Sequence, residues 1–248
     1  MIASLPWYPA ARPMLDRLWR DIRARLGHGP ATLRWPGDVA TIAAPASIVL
    51  TQTCAPVWQR HLAGRLHIVG TFDFGVAAPG FYRSALVTRS HDVRSLGAAA
   101  TRVAVNDFDS QSGWGALAHL APGEVVLTGS HAASMALVAS GGADLAAIDA
   151  VTWRLSPHPR LVVRALTDPT PSPPLLTGDP DLIAPLRAAL AGAVAALPGE
   201  DRERSGLRGF VAADAASYAS LPLPPPRAPL HSGGFCGVNG GSPAQGCP

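Results

Sequence analysis

Residues 102–120, RVAVNDFDSQSGWGALAHL, combine a strand pattern, a polar loop and the start of a helix. The apolar run at 103–105 predicts a buried strand over 102–106, and residues 112–121 predict a helix. The first N–H groups of a helix lack partners within it and carry partial positive charge, so the loop at 106–113 could hold a small anion. A plain helix cap by Asp109 or Ser110 explains the same residues. This stretch alone leaves both interpretations open.

A second junction of the same kind follows along the chain. EVVLTGS (124–130) predicts a strand and then a loop, and Ser130 caps a predicted helix over 131–140 that begins with His131. An exposed histidine on a capped helix is the alternative to an anion contact. Because neighbouring parallel strands end at the same edge of a sheet, the two junctions together favour an anion site.

The pattern of the whole chain predicts an α/β fold with a mostly parallel sheet, since strands alternate with helices. Ligands of such sheets bind at the carboxyl ends of the strands. Three polar clusters fall there: 51–54, 106–113 and 129–134. Predicted strands lie at 2–5, 47–51, 66–71, 81–88, 102–106 and 160–167, and two more begin the segments 124–130 and 143–153. Predicted helices lie at 10–26, 112–121, 131–140 and 181–197.

Composition excludes several classes of function. The chain has 248 residues and a net charge of +3, and its basic residues, all arginines, are scattered without a basic stripe, which argues against a nucleic-acid surface. No CxxC pair, HExxH, GxSxG, P-loop or GxGxxG occurs, so we predict no metal site, no catalytic residue and no cofactor. The sequence contains no run of about 18 apolar residues, so it predicts no transmembrane segment. The first eight residues show no export signal.

The C-terminal stretch from residue 222 onward is rich in Pro and Gly and nearly uncharged. It has too few large apolar groups to offset the entropy of ordering, so we predict a disordered tail over 222–248. Cys236 and Cys247 lie in it, either as free thiols or as a pair in an oxidising compartment.

Six segments, in order, resemble one family. They are SLPWY (4–8), LTQTC (50–54), FYRSALVTR (81–89), VNDFDSQSGW (105–114), GSHAASMALVASGGADLAAIDAVTW (129–153) and LRGF (207–210). Their combination and spacing resemble the phosphate, phosphite and phosphonate substrate-binding proteins of ABC transporters, the PhnD-like branch of the type 2 periplasmic binding fold.

The resemblance implies an α/β fold of two lobes with a ligand cleft between them. Lobe one would hold 1–78 and 168–221, and lobe two 79–167. The ligand would be a small oxyanion (phosphonate, phosphite or phosphate), the partner an ABC transporter permease, and the compartment the periplasm. By matching position, the ligand-binding residues would be Tyr8, Thr51, Gln52, Tyr82, Ser110, Gln111, Ser112, His131 and Asp149. Gln111 departs from the family, which often has a small hydroxyl residue at that position.

The same two-lobed fold also supports cytosolic enzymes and ligand sensors, and fold alone does not decide between them. The missing export signal favours this alternative, and a cytoplasmic location with it. The lack of a recognisable nucleophile with its base argues against an enzyme. The sequence leaves the identity of the ligand, the compartment and the oligomeric state open.

Overall fold

The structure is a computed structural model that describes residues 1–35 and 43–225. Its strands are β1 (Ile2–Ala3), β2 (Ile48–Gln52), β3 (His67–Asp73), β4 (Phe81–Tyr82), β5 (Ser84–Arg89), β6 (Arg102–Val105), β7 (Glu124–Leu127), β8 (Leu145–Asp149), β9 (Leu161–Leu166), β10 (Thr170–Pro171), β11 (Leu175–Thr177) and β12 (Gly209–Ala212). Its α-helices are α1 (Arg12–Leu26), α2 (Ala55–Val57), α3 (Leu96–Ala99), α4 (His131–Ala139), α5 (Ala150–Leu155), α6 (Ile183–Ala195) and α7 (Gly199–Ser205).

The strands form two five-stranded sheets and one two-stranded ribbon. The first sheet has the order β1-β2-β11-β3-β12, and the second has the order β7-β6-β8-β5-β9. We call the parts built on these sheets lobe one and lobe two. Apolar clusters pack around both sheets, as expected of an α/β architecture.

Both sheets are mixed, so the prediction of a mostly parallel sheet is wrong. The pairs β1-β2, β6-β7 and β6-β8 are parallel, whereas the other pairs are antiparallel. The reason is the path of the chain. β5 and β11 are strands formed as the chain enters one lobe from the other, and each runs against both of its neighbours.

Helix α1 follows the predicted apolar periodicity and packs in the core of lobe one. Met14, Leu15, Leu18, Trp19 and Ile22 are its buried face, and they share an apolar cluster with residues of α6. Gly27 ends the helix in the left-handed conformation, with φ of 78°, and its N–H bonds to the carbonyl of Arg23.

The two chain crossings between the lobes lie side by side in the ribbon. β4 and β10 pair antiparallel, with Tyr82 opposite Thr170. The guanidinium of Arg83 donates to the carbonyl of Thr167 at 2.7 Å, and the N–H of Ser84 donates to its hydroxyl at 3.0 Å. These bonds join the crossings into one connector.

The predicted helix at 112–121 is not a regular helix. The chain forms a π-helical turn at Gln111–Gly115 and a 3₁₀ turn at Ala118–Leu120. The N–H of Gly115 bonds to the carbonyl of Ser110, five residues back, at 2.9 Å. Two glycines lower the helix propensity of this stretch, and the turn ends at Ala121 with φ of 47°.

The predicted tail is described only at its beginning. Residues 222–225 lie outside any helix or strand and contact both lobes, as detailed below. The remainder of the predicted tail, with Cys236 and Cys247, lies outside the described residues. The predicted lobe boundaries stay a prediction.

No single helix within 1–35 and 43–225 is long and apolar enough to cross a membrane. One pair bent by 100°, Pro180–Ala195 with Gly199–Ser205, meets the length and composition criteria when the two parts are taken together.

Candidate functional site

The loop after β6 forms the lobe-two side of the candidate site. Ser110 caps the π-helical turn, since its Oγ accepts from the N–H of Gly113 at 3.0 Å, and it lies 3.4 Å from the Oγ of Ser112. Both side chains are buried. A Cβ at Gly113 would collide with Oδ1 of Asn106, so only glycine allows this close approach. The turn therefore presents two hydroxyl groups at its start.

His131 begins α4 and joins the two predicted junctions. Its Nε2 lies 3.0 Å from the Oγ of Ser112 and accepts from the N–H of Asp149 at 3.5 Å. Ser130 caps the helix as predicted. Burial lowers the pKa of His131 to about 4. The ring is therefore neutral at pH 7 and forms hydrogen bonds without contributing a charge.

Asp149 ends β8 and is fully buried. Its Oδ1 caps α5 by accepting from the N–H groups of Val151 (2.7 Å) and Thr152 (3.0 Å). Its Oδ2 accepts from the hydroxyl of Tyr8 at 3.2 Å. Burial raises the pKa of Asp149 to about 6, although these hydrogen bonds act in the opposite direction.

Tyr8 contributes from lobe one. Its backbone is left-handed, with φ of 64°, which is unusual for a residue with a side chain. Its ring packs edge-on against Phe74 at 4.9 Å between centroids, and its hydroxyl reaches Asp149 in lobe two. Burial and the nearby carboxylate raise the pKa of Tyr8, so the hydroxyl remains a donor.

Cys54 lies at the same contact between the lobes, and the sequence analysis did not select it. Its buried Sγ accepts from the N–H of Gln111 at 3.3 Å. Burial raises the pKa of Cys54 to about 12, so the group is a neutral thiol. The only sequence signal was its place in the polar turn directly after β2.

The remaining predicted residues are buried around this centre. Gln52 donates to the carbonyl of Pro173 at 3.3 Å. Burial raises the pKa of Tyr82 well above its usual value, and Cys54 and Asp149 raise it further. Thr51 is buried, and its hydroxyl has no hydrogen-bond partner among the described residues.

A small cavity adjoins the site on the side of the ribbon. Its volume of about 10 Å³ is close to what one water molecule needs. Neither Ser112 nor His131 lines it, and no charged residue among those described does. The lining residues are Tyr8, Gln52, Thr71, Phe72, Phe74, Val76, Phe81, Tyr82, Val151, Ser172 and Pro173.

The structure thus joins five of the nine predicted residues through side-chain or backbone hydrogen bonds: Tyr8, Ser110, Ser112, His131 and Asp149. Gln111 is nearby through its backbone contact with Cys54. Tyr82 and Gln52 line the adjoining cavity with Tyr8, and the Thr51 hydroxyl has no hydrogen-bond partner within the described part of the chain. In that part, no group of three or more His, Cys, Asp or Glu could hold a metal ion. The role of the nine predicted residues in ligand binding stays a prediction.

Solved structures of similar fold include several binding proteins. A binding protein component of an ABC phosphonate transporter from Pseudomonas aeruginosa has a TM-score of 0.67 at 16% identity, covering 87% of this chain and 82% of that one. PhnD1 from Prochlorococcus marinus in complex with methylphosphonate has a TM-score of 0.61 at 14% identity, covering 88% and 94%. XAC2383 from Xanthomonas citri bound to ATP has a TM-score of 0.61 at 18% identity, covering 87% and 92%. At these identities the similarity shows the fold, and it confirms the two-lobed fold class.

No curated protein matches the chain in sequence. A family model described as the periplasmic substrate-binding protein of phosphonate ABC transporters matches residues 74–218. Since this match spans more than half of the chain, the chain belongs to the phosphonate-binding family of ABC transporter substrate-binding proteins, as the motifs predicted.

Proposed function

We propose that the protein binds a small oxyanion of the phosphonate, phosphite or phosphate type between its lobes. The observation that carries this proposal is the hydrogen-bonded group of Ser110, Ser112 and His131 at the starts of two helical segments. Hydroxyl, imidazole and backbone N–H groups at such positions hold a tetrahedral anion without a formal positive charge.

The buried carboxylate of Asp149 restricts which oxyanions can bind. A buried carboxylate beside an anion site repels an anion that carries no hydrogen-bond donor, such as sulfate. A monoprotonated phosphonate or phosphate oxygen, or an amino group on the ligand, can donate to it. We therefore expect protonated or amino-bearing oxyanions to bind more tightly than sulfate.

The pairing of Ser112 with His131 resembles the start of a catalytic dyad, but its surroundings favour binding over catalysis. The carboxylate oxygens of Asp149 bond to Tyr8 and to the start of α5, not to the imidazole. A histidine whose pKa is lowered to about 4 is a weak general base at neutral pH. The protein therefore acts as a binding protein and not as an enzyme.

The mechanism follows from the two-lobed fold. An oxyanion held by lobe two and contacted by Tyr8 of lobe one bridges the lobes and stabilises the closed form. A membrane permease of an ABC transporter would read the closed form, and the family is periplasmic.

Isothermal titration of the purified full chain tests the proposal. The probes are methylphosphonate, 2-aminoethylphosphonate, phosphite, phosphate and sulfate. We expect binding of at least one phosphorus oxyanion, about 10-fold or more weaker in Ser112→Ala and His131→Ala because a hydrogen bond to an anion is lost. Ser140→Ala, at the far end of α4, is the matched control. Absence of binding by every phosphorus oxyanion, or equal binding by the Ser112→Ala variant, would contradict the proposal.

A further inference from the structure

The last described residues, Leu221–Pro225, lie outside any helix or strand and form a segment that we call the strap. It starts in lobe one, where Leu221 is buried in the cluster around Trp58. The preceding turn is fixed there too, since the hydroxyl of Tyr218 donates to the carbonyl of Ser172 at 2.8 Å. The strap therefore leaves lobe one from an anchored position.

Arg60 connects the strap to both lobes. This lobe-one guanidinium donates to the carbonyl of Pro224 and pairs with the carboxylate of Asp109 in lobe two. His61 adds a contact to the same carboxylate, with 3.3 Å between its Nε2 and Oδ2 of Asp109. The Arg60 side chain is only 20% exposed, and that of Asp109 29%, so solvent screens this pair less than a surface ion pair.

The end of the strap rests on lobe two. The indole N–H of Trp114 donates to the carbonyl of Pro225 at 2.7 Å. The Trp114 ring is buried and packs edge-on against Phe108 at 6.0 Å. Trp114 belongs to the same π-helical turn as Ser112, so the strap contacts the turn that carries the candidate anion site.

The composition of the strap suits a tether. Three of its five residues are prolines, which lack conformational freedom in φ and so lose little entropy when the segment is held. Five residues in an extended polyproline conformation reach about 15 Å. A tether of this length limits how far the two lobes can separate at this end of the cleft.

We propose that the strap is a built-in clasp that holds lobe two against lobe one and sets how readily the cleft opens, whether or not a ligand is bound. It closes the cleft from the chain's own C-terminal side, through Trp114 and the Arg60–Asp109 pair. The proposal is separate from the identity of the ligand, because each contact is made within the chain.

Cys54 provides a reporter of opening, since this residue is only 5% exposed at the contact between the lobes. In the full chain carrying Cys236→Ser and Cys247→Ser, a thiol reagent reacts only at Cys54. The rate of its reaction with N-ethylmaleimide is measured with no oxyanion present. A failure of the proposed ligand binding therefore leaves this test intact.

Trp114→Phe should raise the Cys54 reaction rate by about 10-fold, the factor expected for one lost hydrogen bond. Arg60→Met should raise it at least as much, because it removes both the contact with Pro224 and the ion pair with Asp109. Arg65→Met, at an exposed arginine of lobe one, and Trp153→Phe are the matched controls and should leave the rate unchanged. Unchanged rates in both strap variants would overturn the proposal.

Two further variants distinguish the effect of the strap on the reaction rate from that of the Arg60–Asp109 ion pair and from that of a general loss of stability. Asp109→Asn removes the ion pair but keeps the contact of Arg60 with Pro224. If Asp109→Asn raises the rate and Trp114→Phe does not, the ion pair alone holds the lobes and the clasp is refuted. Replacing Pro224 and Pro225 with glycine keeps every donor and carbonyl but loosens the segment, so an increased rate at an unchanged unfolding temperature supports the clasp. An increase that appears only with a lower unfolding temperature would contradict it.

Discussion

The carboxylate of Asp149 bonds in two directions, because Oδ1 caps α5 within lobe two while Oδ2 accepts from Tyr8 in lobe one. Ionising it in a buried position is unfavourable, and this is why its pKa is raised to about 6. One side chain therefore couples the local helix, the lobe contact and the charge of the candidate site.

Asp149 should make stability depend on pH. Because its pKa is raised above the unfolded value of about 3.9, its favourable contribution is complete below pH 4 and is lost as the pH rises through about 6. Between pH 4 and pH 7, the native chain should lose on the order of 3 kcal/mol relative to Asp149→Asn. Urea unfolding of both proteins at each pH measures this difference. The lowered pKa of His131 makes stability rise with pH instead, but both proteins contain His131, so its effect cancels in the comparison. A pH-independent difference would show that burial does not shift this carboxylate.

A substitution of Gly113 tests whether the turn requires the close approach between its backbone and Asn106. Gly113→Ala places a Cβ against Oδ1 of Asn106 and within 3.1 Å of the Oγ of Ser110, so it should destabilise the chain by about 1–3 kcal/mol. Gly97→Ala, in α3 with no atom within 4 Å of the added Cβ, should be neutral or stabilising. Urea unfolding of both variants measures the contrast, and equal effects would argue against a packing role for Gly113.

Much of the candidate site is predictable from single residues. Ser110 and Ser130 are recognisable as caps, and each brings the next polar residues to the start of a helical segment. Cys54 was not predictable as a site residue, because its partner Gln111 is 57 residues away in sequence and lies in the other lobe. Contacts between lobes leave no local pattern in the chain.

Among the elements, α5 is held to lobe one at both ends although it belongs to lobe two. Asp149 at its start bonds to Tyr8, and Arg154 near its end donates to the carbonyls of Phe74 and Ser205, each at 2.8 Å. As long as these bonds persist, α5 is fixed to lobe one at both ends and moves with that lobe.

Arg154→Met should therefore weaken the contact between the lobes. It leaves two carbonyls without their donor, so we expect a loss of about 1 kcal/mol in the free energy of unfolding. Arg160→Met, at an exposed loop arginine, is the control and should change stability little. Denaturant titration compares them, and a loss of the same size in the control would contradict a specific role for Arg154.

The sequence predicted α1 from its apolar period and α4 from its capping Ser130, and it missed several short elements, α7 and β11 among them. α7 has no apolar period; instead Glu200 pairs with Arg204 one turn on, and the buried Asp201 pairs with Arg17 of α1. β11 has only three residues and follows a proline-rich stretch, too short for an alternating pattern. Both depend on partners distant in sequence.

At the scale of the molecule, the family motifs predicted two lobes and a cleft, while periodicity alone predicted only an α/β class. The direction of strands could not be predicted, because it depends on where the chain crosses between the lobes. The contacts that close the cleft, such as Arg60 with Asp109, also join distant parts of the chain.

Methylphosphonate should protect the thiol of Cys54 if it stabilises the closed form. At 100 times its Kd, the Cys54 reaction rate should fall up to about 100-fold, since only the open fraction reacts. Ser112→Ala, which should bind about 10-fold more weakly, should reduce this to about 10-fold protection at the same concentration. The same cysteine-substituted full chain and N-ethylmaleimide serve for the measurement, and protection that is unaltered by Ser112→Ala would place methylphosphonate elsewhere.

The order of strands in the first sheet has a consequence for synthesis on the ribosome. β11 lies between β2 and β3 and pairs with both, yet it is made about 100 residues after β3. Until Leu175–Thr177 leave the exit tunnel, β2 and β3 lack the strand that joins them, whereas all strands of the second sheet are already made. The second lobe can thus fold first, while β2 and β3 each keep an open edge, where β11 will later pair, that a chaperone would have to shield.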